Sequence, residues 1–73
     1  MTQKKLYFIT KKELALRYYP DDTPQRASDK LREQIATSPN LLDDLMKAGY
    51  RKEQKTLTPK QIRIIYDHLG EPE

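Results

Sequence analysis

The clearest structural signal in this sequence is the stretch Thr58-Pro59-Lys60-Gln61. Thr is a preferred helix N-cap, Pro is tolerated at the first helical position, and a Gln three residues after the Thr completes a capping box. The stretch therefore starts a helix, and Gly70 is a natural stop for it. The apolar residues between these two signals recur at helical spacing and predict one buried face: Ile62, Ile65, Tyr66 and Leu69.

Three further helices are predicted upstream from the same kinds of start and stop signals. Thr10 and Thr23 are placed as N-caps, and Ser38-Pro39-Asn40 repeats the start signal. Pro20 ends the first of these helices because it cannot donate to the helical ladder, and Gly49 ends the third. The predicted helices are Lys11–Tyr19, Pro24–Thr37 and Asn40–Ala48.

The remaining segments are expected to be extended or irregular. Leu6–Ile9 is aromatic and β-branched, which favours a short strand or an extended arm. Residues 50–57 are polar and basic without helical periodicity, so we expect a loop in which Leu57 pairs with the arm. The predicted fold is a single, mostly α, helix-turn-helix-like domain of residues 1–73, with four helices and a minimal two-stranded β-ribbon. Residues 1–9 form the arm and residues 70–73 a tail.

Composition limits the functions that a chain of 73 residues supports. A domain near this size buries only about 60% of the surface that its unfolded chain exposes, so its core leaves little room for an enclosed active site. The lack of cysteine excludes disulfides and thiolate zinc sites, and a single His excludes a multi-histidine metal site. No apolar run approaches the roughly 20 residues that cross a bilayer. We expect a cytoplasmic protein with no cofactor, no metal and no membrane partner.

An enzymatic function is not expected, because no side chains show the arrangement that acid–base or nucleophilic catalysis requires. His68, the one imidazole, falls near the end of the last helix, where it suits the helix dipole. The adjacent carboxylates Asp21-Asp22 and Asp43-Asp44 fall at a turn and near a helix start. The two glycines, Gly49 and Gly70, lack the spacing of a phosphate-binding loop.

Charge is unevenly distributed along the chain. Residues 1–12 carry four lysines and no acid, and residues 47–63 carry six basic side chains and one Glu. The segments 13–46 and 64–73 each carry three more acids than bases, so the formal net charge is only +3. If the two basic blocks meet in space, they form one positive face suited to a polyanion; otherwise these cations only solubilise the surface.

Candidate nucleic-acid contacts follow from this pattern. The second helix presents Gln25, Arg26 and Arg32, side chains that read base edges or contact the backbone. Asp29 and Glu33 share its exposed side, so the same helix equally suits solvent-exposed ion pairs. The cations placed to reach phosphates lie in the arm, the first helix and the 51–55 loop: Lys4, Lys5, Lys11, Lys12, Arg51, Lys52 and Lys55.

Tyrosine is frequent, with five residues that serve either a small core or an interface. Tyr18 and Tyr66 fall on the apolar faces of their helices, and we expect them in the core. Tyr19 and Tyr50 are the stronger candidates for contact with a partner.

Two resemblances rest on these segments. The stretches 11–20, 49–61 and 66–72 together resemble a family of short uncharacterised proteins from gut bacteria, over nearly the whole chain. The second resemblance begins at Ile9-Thr10-x-x-Glu13-Leu14-Ala15, which is similar to the first helix of MerR-type and excisionase-type winged-helix DNA-binding domains.

In those winged-helix families a Gly-Tyr-Arg wing leads into a further helix, and Gly49-Tyr50-Arg51 and Leu57–Ile62 stand in that order here. The resemblance implies a winged-helix-like domain in which Pro24–Thr37 is the recognition helix and Arg51–Lys55 the wing. This chain departs from the pattern in two ways. The predicted helix Asn40–Ala48 precedes the wing, and the aromatic residue usual in the recognition helix is missing.

The sequence therefore favours a small DNA-binding protein of the helix-turn-helix type, regulatory or recombination-associated. The alternative is a protein-interaction (adaptor) module, which suits the thin apolar stripe of the second helix and the mixed charges opposite it. This alternative leaves a homo-oligomer open, because small cores gain stability from a partner. A continuous positive face would favour DNA, and a contiguous exposed apolar patch would favour a protein partner.

Overall fold

Four helices and one two-stranded antiparallel ribbon make up residues 9–72, the part of the chain that the computed structural model describes. The mostly α fold with a minimal ribbon is thus confirmed, and the helices begin and end within one residue of their predicted bounds. No helix in this part of the chain is long and apolar enough to cross a bilayer. In chain order the elements are β1 (Ile9–Thr10), α1 (Lys11–Tyr18), α2 (Pro24–Ala36), α3 (Pro39–Lys47), β2 (Thr56–Leu57) and α4 (Pro59–Leu69).

Side-chain caps start three of the four helices. The Thr58 hydroxyl accepts the Gln61 amide N–H (3.2 Å) and the Gln61 side-chain oxygen accepts the Thr58 N–H (3.1 Å), which confirms the predicted capping box. Thr10 and Thr23 accept the amide three residues later, at 3.0 and 3.3 Å. Ser38 makes no such bond, because its ψ of 92° departs from the 157° to 160° of the three threonines.

The ribbon joins the start of the described chain to the segment before α4. Ile9 pairs with Leu57 and Thr10 pairs with Thr56 in antiparallel register, which confirms the predicted pairing at Ile9. Leu57 is fully buried, so the ribbon also contributes to the core. The rest of the predicted arm, including Lys4 and Lys5, lies outside the described residues.

Each helix contributes an apolar stripe to a shared core. α2 packs against α1 and α3, and α3 also packs against α4. Burying one Leu or Ile side chain contributes about 1.5–3 kcal/mol to stability. The thin stripe at positions 27, 31 and 35 therefore packs α2 against the core with only three buried side chains. The buried apolar side chains are Leu14, Ala15, Ala27, Leu31, Ile35, Leu41, Leu45, Tyr50, Leu57, Ile62 and Ile65.

The end of α3 explains why Tyr50 belongs to this core. Gly49 adopts a left-handed conformation (φ 86°), and its N–H donates to the Met46 carbonyl (3.0 Å). The Tyr50 N–H donates to the Leu45 carbonyl (2.9 Å), and the two bonds together form a Schellman motif. The motif turns the chain back over α3, which leaves Tyr50 only 7% exposed.

Tyr18 links the C-terminal ends of α1 and α4. It is half-buried, as is Tyr66, and both pack against the core as predicted. The Tyr18 hydroxyl donates to the Gly70 carbonyl (2.5 Å), which ties the end of α1 to the end of α4. Burial raises the pKa of Tyr18 far above its ordinary value, and the neighbouring Tyr66 and Glu71 add to the increase.

Candidate functional site

The basic loop, residues 51–55, is a closed turn rather than a free connection. The Gln54 N–H donates to the Arg51 carbonyl (3.1 Å), and the Arg51 N–H donates to the Gln54 side-chain oxygen (2.8 Å). The Gln54 amide group also donates to the Thr56 carbonyl (2.8 Å). These bonds fix the backbone that carries the loop cations, so those side chains project from a defined platform.

A buried glutamine anchors this loop to the helices on either side of it. Gln61 is 2% exposed, and its side-chain oxygen accepts a hydrogen bond from the Gln54 amide group (2.7 Å). Its own amide group donates to the Ala48 carbonyl at the end of α3 (3.1 Å). The Gln61 side-chain oxygen also accepts the Thr58 N–H, so both polar groups of this buried side chain have hydrogen-bond partners. Gln61 therefore connects the end of α3, the basic loop and the start of α4.

Lys11 brings the two basic blocks of the sequence together. Its backbone N–H donates to the Lys55 carbonyl (2.8 Å), and its ammonium group donates to the Lys52 carbonyl (2.8 Å). The same ammonium lies 4.7 Å from the centre of the Tyr50 ring, a cation–π distance. Lys11 thus supports the basic loop, and its positive charge lies beside the loop cations.

An open groove of about 420 Å³ lies between the C-terminal half of α2, α3 and the basic loop; we call it the α2–α3 groove. Its floor is apolar and comes from three segments of the chain. Met46 is 60% exposed, which no other large apolar side chain within residues 9–72 matches. The floor side chains are Ile35, Ala36, Leu42, Met46 and Tyr50.

The rim of the α2–α3 groove is mainly cationic. Arg32 reaches it from α2, and Arg51 and Lys52 reach it from the basic loop. Among the described lining residues the one acid is Glu53. Three of the predicted contact residues, one on α2 and two adjacent in the basic loop, therefore meet around one apolar floor.

The exposed face of α2 carries its own internal partners. The Gln25 amide group and the Arg32 guanidinium both donate to one carboxylate oxygen of Asp29, each at 3.1 Å. The ion pair between Asp29 and Arg32 is the kind expected of a solvent-exposed helix. The Lys30 ammonium forms another ion pair with the Asp22 carboxylate (2.7 Å). Two of the three cations of α2, Lys30 and Arg32, thus pair with carboxylates.

The other described contact residues that the sequence predicted are not among those that line the groove. Arg26 is exposed in the first turn of α2, and Lys12 is exposed in the first turn of α1. Lys55 is exposed at the end of the basic loop, next to the ribbon. His68 lies elsewhere, with its Nε2 3.0 Å from an Asp44 carboxylate oxygen, where it links α4 to α3.

Sequence reasoning identified the cations of this site and missed its apolar floor. Leu42 and Met46 lie one turn apart on α3, beside the buried positions of that helix. The apolar face of α3 is therefore wider than the core needs, and this width is a signal in the sequence for an exposed apolar surface. The bond between Gln54 and Gln61 gave no local signal, because the two residues lie seven positions apart and Gln61 belongs to α4.

A known protein family matches most of this chain. The family described as a domain of unknown function (DUF4248) matches residues 5–72. The chain belongs to this family. The DUF4248 match spans every described element, including the α2–α3 groove and the basic loop, and it confirms the resemblance to an uncharacterised family. No curated protein and no solved structure matches this DUF4248 chain significantly.

Proposed function

We propose that this DUF4248 protein binds duplex DNA through the basic loop and the neighbouring cations. The observation that carries the proposal is the position of Lys11, whose bonds to the Lys52 and Lys55 carbonyls join the two basic blocks of the sequence. Cations of one sign gathered on one side create a field that attracts a polyanion. Arg32 adds a third segment of the chain to the same side.

Phosphate contacts supply most of the affinity in this proposal. The hydrogen-bonded turn of the basic loop presents Arg51, Lys52 and Lys55 without a large ordering cost, since its backbone is already fixed. A guanidinium has five N–H donors, so the bond from Arg32 to Asp29 leaves others for a phosphate oxygen. Glu33 and Asp29 would face the polyanion too, so we expect modest affinity and little sequence specificity.

The resemblance to winged-helix domains is consistent with this role. In that interpretation the basic loop acts as the wing, and α2 lies against the duplex with Gln25, Arg26 and Arg32 on its outer side. A regulatory or recombination-associated function in the cytoplasm would follow. α3 lies between α2 and the loop in the chain, so the loop would reach the duplex from beyond an additional helix.

The test is a titration of labelled duplex DNA at several salt concentrations. Affinity should fall with salt, because each phosphate contact releases counterions and contributes about 0.9 to the slope of log affinity against log salt. Lys52→Gln should lower that slope by about one unit. Lys30→Gln is the matched control, because Lys30 lies on the far side of α2 with Asp22 and Tyr19. Undetectable binding at low salt, or an affinity independent of salt, would refute the proposal.

We propose protein interaction as a second candidate function, favoured by a separate observation. The exposed Met46 and the other apolar side chains on the floor of the α2–α3 groove are not needed for phosphate contacts. Exposed apolar surface with a polar rim is typical of sites that bind another protein. Saturable binding of an apolar peptide to the groove would support this function.

A further inference from the structure

We propose that the α2–α3 groove binds a short amphipathic segment of a partner protein, whose apolar side chains are flanked by Asp or Glu. This inference rests on the second candidate function and names the chemistry of the partner. The groove combines two features that a phosphate-binding surface does not need together, an apolar floor and a cationic rim.

The shape of the groove suits the apolar side chains of such a segment. Its volume of about 420 Å³ falls within the roughly 300–1,000 Å³ of ordinary binding pockets. α2 and α3 supply its floor, so the apolar face of an added helix could pack along them in the helix-in-groove mode. Met46 is unbranched and 60% exposed, so its side chain adapts to the shape of the incoming residue.

The charges on the rim select the partner's polar residues. Arg51 and Lys52 reach the rim from the basic loop, and Arg32 reaches it from α2 while also paired with Asp29. Among the described lining residues the one acid is Glu53. Arginine pairs with carboxylates in a bidentate geometry, which rewards acidic residues beside the apolar ones. A second copy of this chain is a poorer occupant, because two such grooves facing each other would bring like charges together.

The groove is also preorganised, which reduces the cost of binding. The Schellman motif holds Tyr50 in the floor, and the bond between Gln54 and Gln61 holds the basic loop at the rim. The bond from Arg32 to Asp29 orients the third cation. Binding then immobilises mainly the ligand and the side chains of Met46, Arg51 and Lys52.

The test uses three labelled peptides of equal length, each with Leu at i, i+3, i+4 and i+7. Their remaining positions are Glu in the first peptide, Gln in the second and Lys in the third, and binding is followed by fluorescence anisotropy. We expect saturable binding in the order Glu, Gln, Lys, with about tenfold between the first two. Met46→Gln should weaken the Glu peptide about tenfold, and Lys30→Gln should not. Met46 is exposed, so circular dichroism should show an unchanged fold.

Other results would overturn the inference in distinguishable ways. Equal binding of the three peptides would overturn the acidic preference and leave protein interaction standing. Binding of none would overturn protein interaction too. If the Glu peptide binds Met46→Gln as tightly as the native protein, its site lies outside the groove. If Met46→Gln weakens duplex DNA and the peptide equally, the groove belongs to the DNA interface.

Discussion

The two sides of α2 carry depressions of similar size and different chemistry. The α2–α3 groove measures about 420 Å³ and has an apolar floor with a cationic rim. The depression on the other side measures about 450 Å³ and is lined by Tyr19, Lys30, Glu33, Gln34 and Thr37. There the Lys30 ammonium lies 2.7 Å from an Asp22 carboxylate oxygen and 5.3 Å from the centre of the Tyr19 ring.

The two depressions differ in the neighbours of their cations more than in size, and we propose that these neighbours decide which side binds a partner. Lys30 already has an anionic and an aromatic partner within the chain, and Arg32 pairs with Asp29, so a ligand gains less from these two cations than from those of the basic loop. Arg51 and Lys52 border an apolar floor, so a ligand that covers this floor would exclude water beside them and strengthen their attraction to an anion. We therefore propose that the side of the groove is the binding surface.

The largest loss of stability that we predict comes from a substitution in the apolar stripe of α2, which separates the two sides. Leu31 is 1% exposed on α2, and Leu31→Ala should lower the free energy of unfolding by about 3 kcal/mol because it leaves a cavity. Urea denaturation measures this loss. Gln34→Ala, an exposed change on the same helix, should stay within about 0.5 kcal/mol of the native protein. Equal effects would mean that α2 is not held by its stripe.

Gln61→Leu should cause the next largest loss of stability. Its structural effect should be limited to the basic loop on the groove side. The substitution leaves the Thr58 N–H and the Ala48 carbonyl without their partner and removes one of the two hydrogen bonds that the Gln54 amide group donates, at a cost of about 2 kcal/mol. Urea denaturation gives the energy, and faster amide hydrogen exchange in residues 51–55 would show that the loop has loosened. Unchanged exchange there would contradict the role of Gln61 in holding the loop.

Gly49→Ala should cost about 1–2 kcal/mol, since an L residue in the left-handed conformation is strained. A Cβ at Gly49 meets no atom within 4 Å, so the loss would come from backbone strain alone. Thermal denaturation measures it. Replacement by Asn, which tolerates this conformation, should restore part of the loss. If Ala and Asn behave alike, the Schellman turn does not depend on the conformation of this residue.

Tyr18→Phe should have the smallest effect, about 1 kcal/mol, through loss of the bond to the Gly70 carbonyl. The pKa of Tyr18 is raised in the folded state, so the folded protein keeps this proton while the unfolded chain loses it. Stability from this group is therefore complete below about pH 10 and declines as pH rises above it. The difference in stability between native protein and variant should shrink from about pH 9 to about pH 11. A constant difference would contradict the raised pKa.

The helices and the ribbon could be predicted because their signals are local. Thr58, Thr23 and Thr10 each act on an amide three residues away, so their caps are readable in the sequence. The groove was not predictable in this way. It exists because the Schellman turn at Gly49 brings Arg51 toward Arg32, and the sequence shows neither that approach nor the bond from Lys11 to the Lys52 carbonyl.

The most direct test of the central claim is to map amide chemical shifts while duplex DNA is added to the isotope-labelled protein at low salt. The account predicts shift changes concentrated at Lys11, Arg32 and residues 51–55, with little change on the other side of α2. Changes centred on Tyr19, Lys30 and Thr37, or no specific changes at saturating DNA, would contradict it.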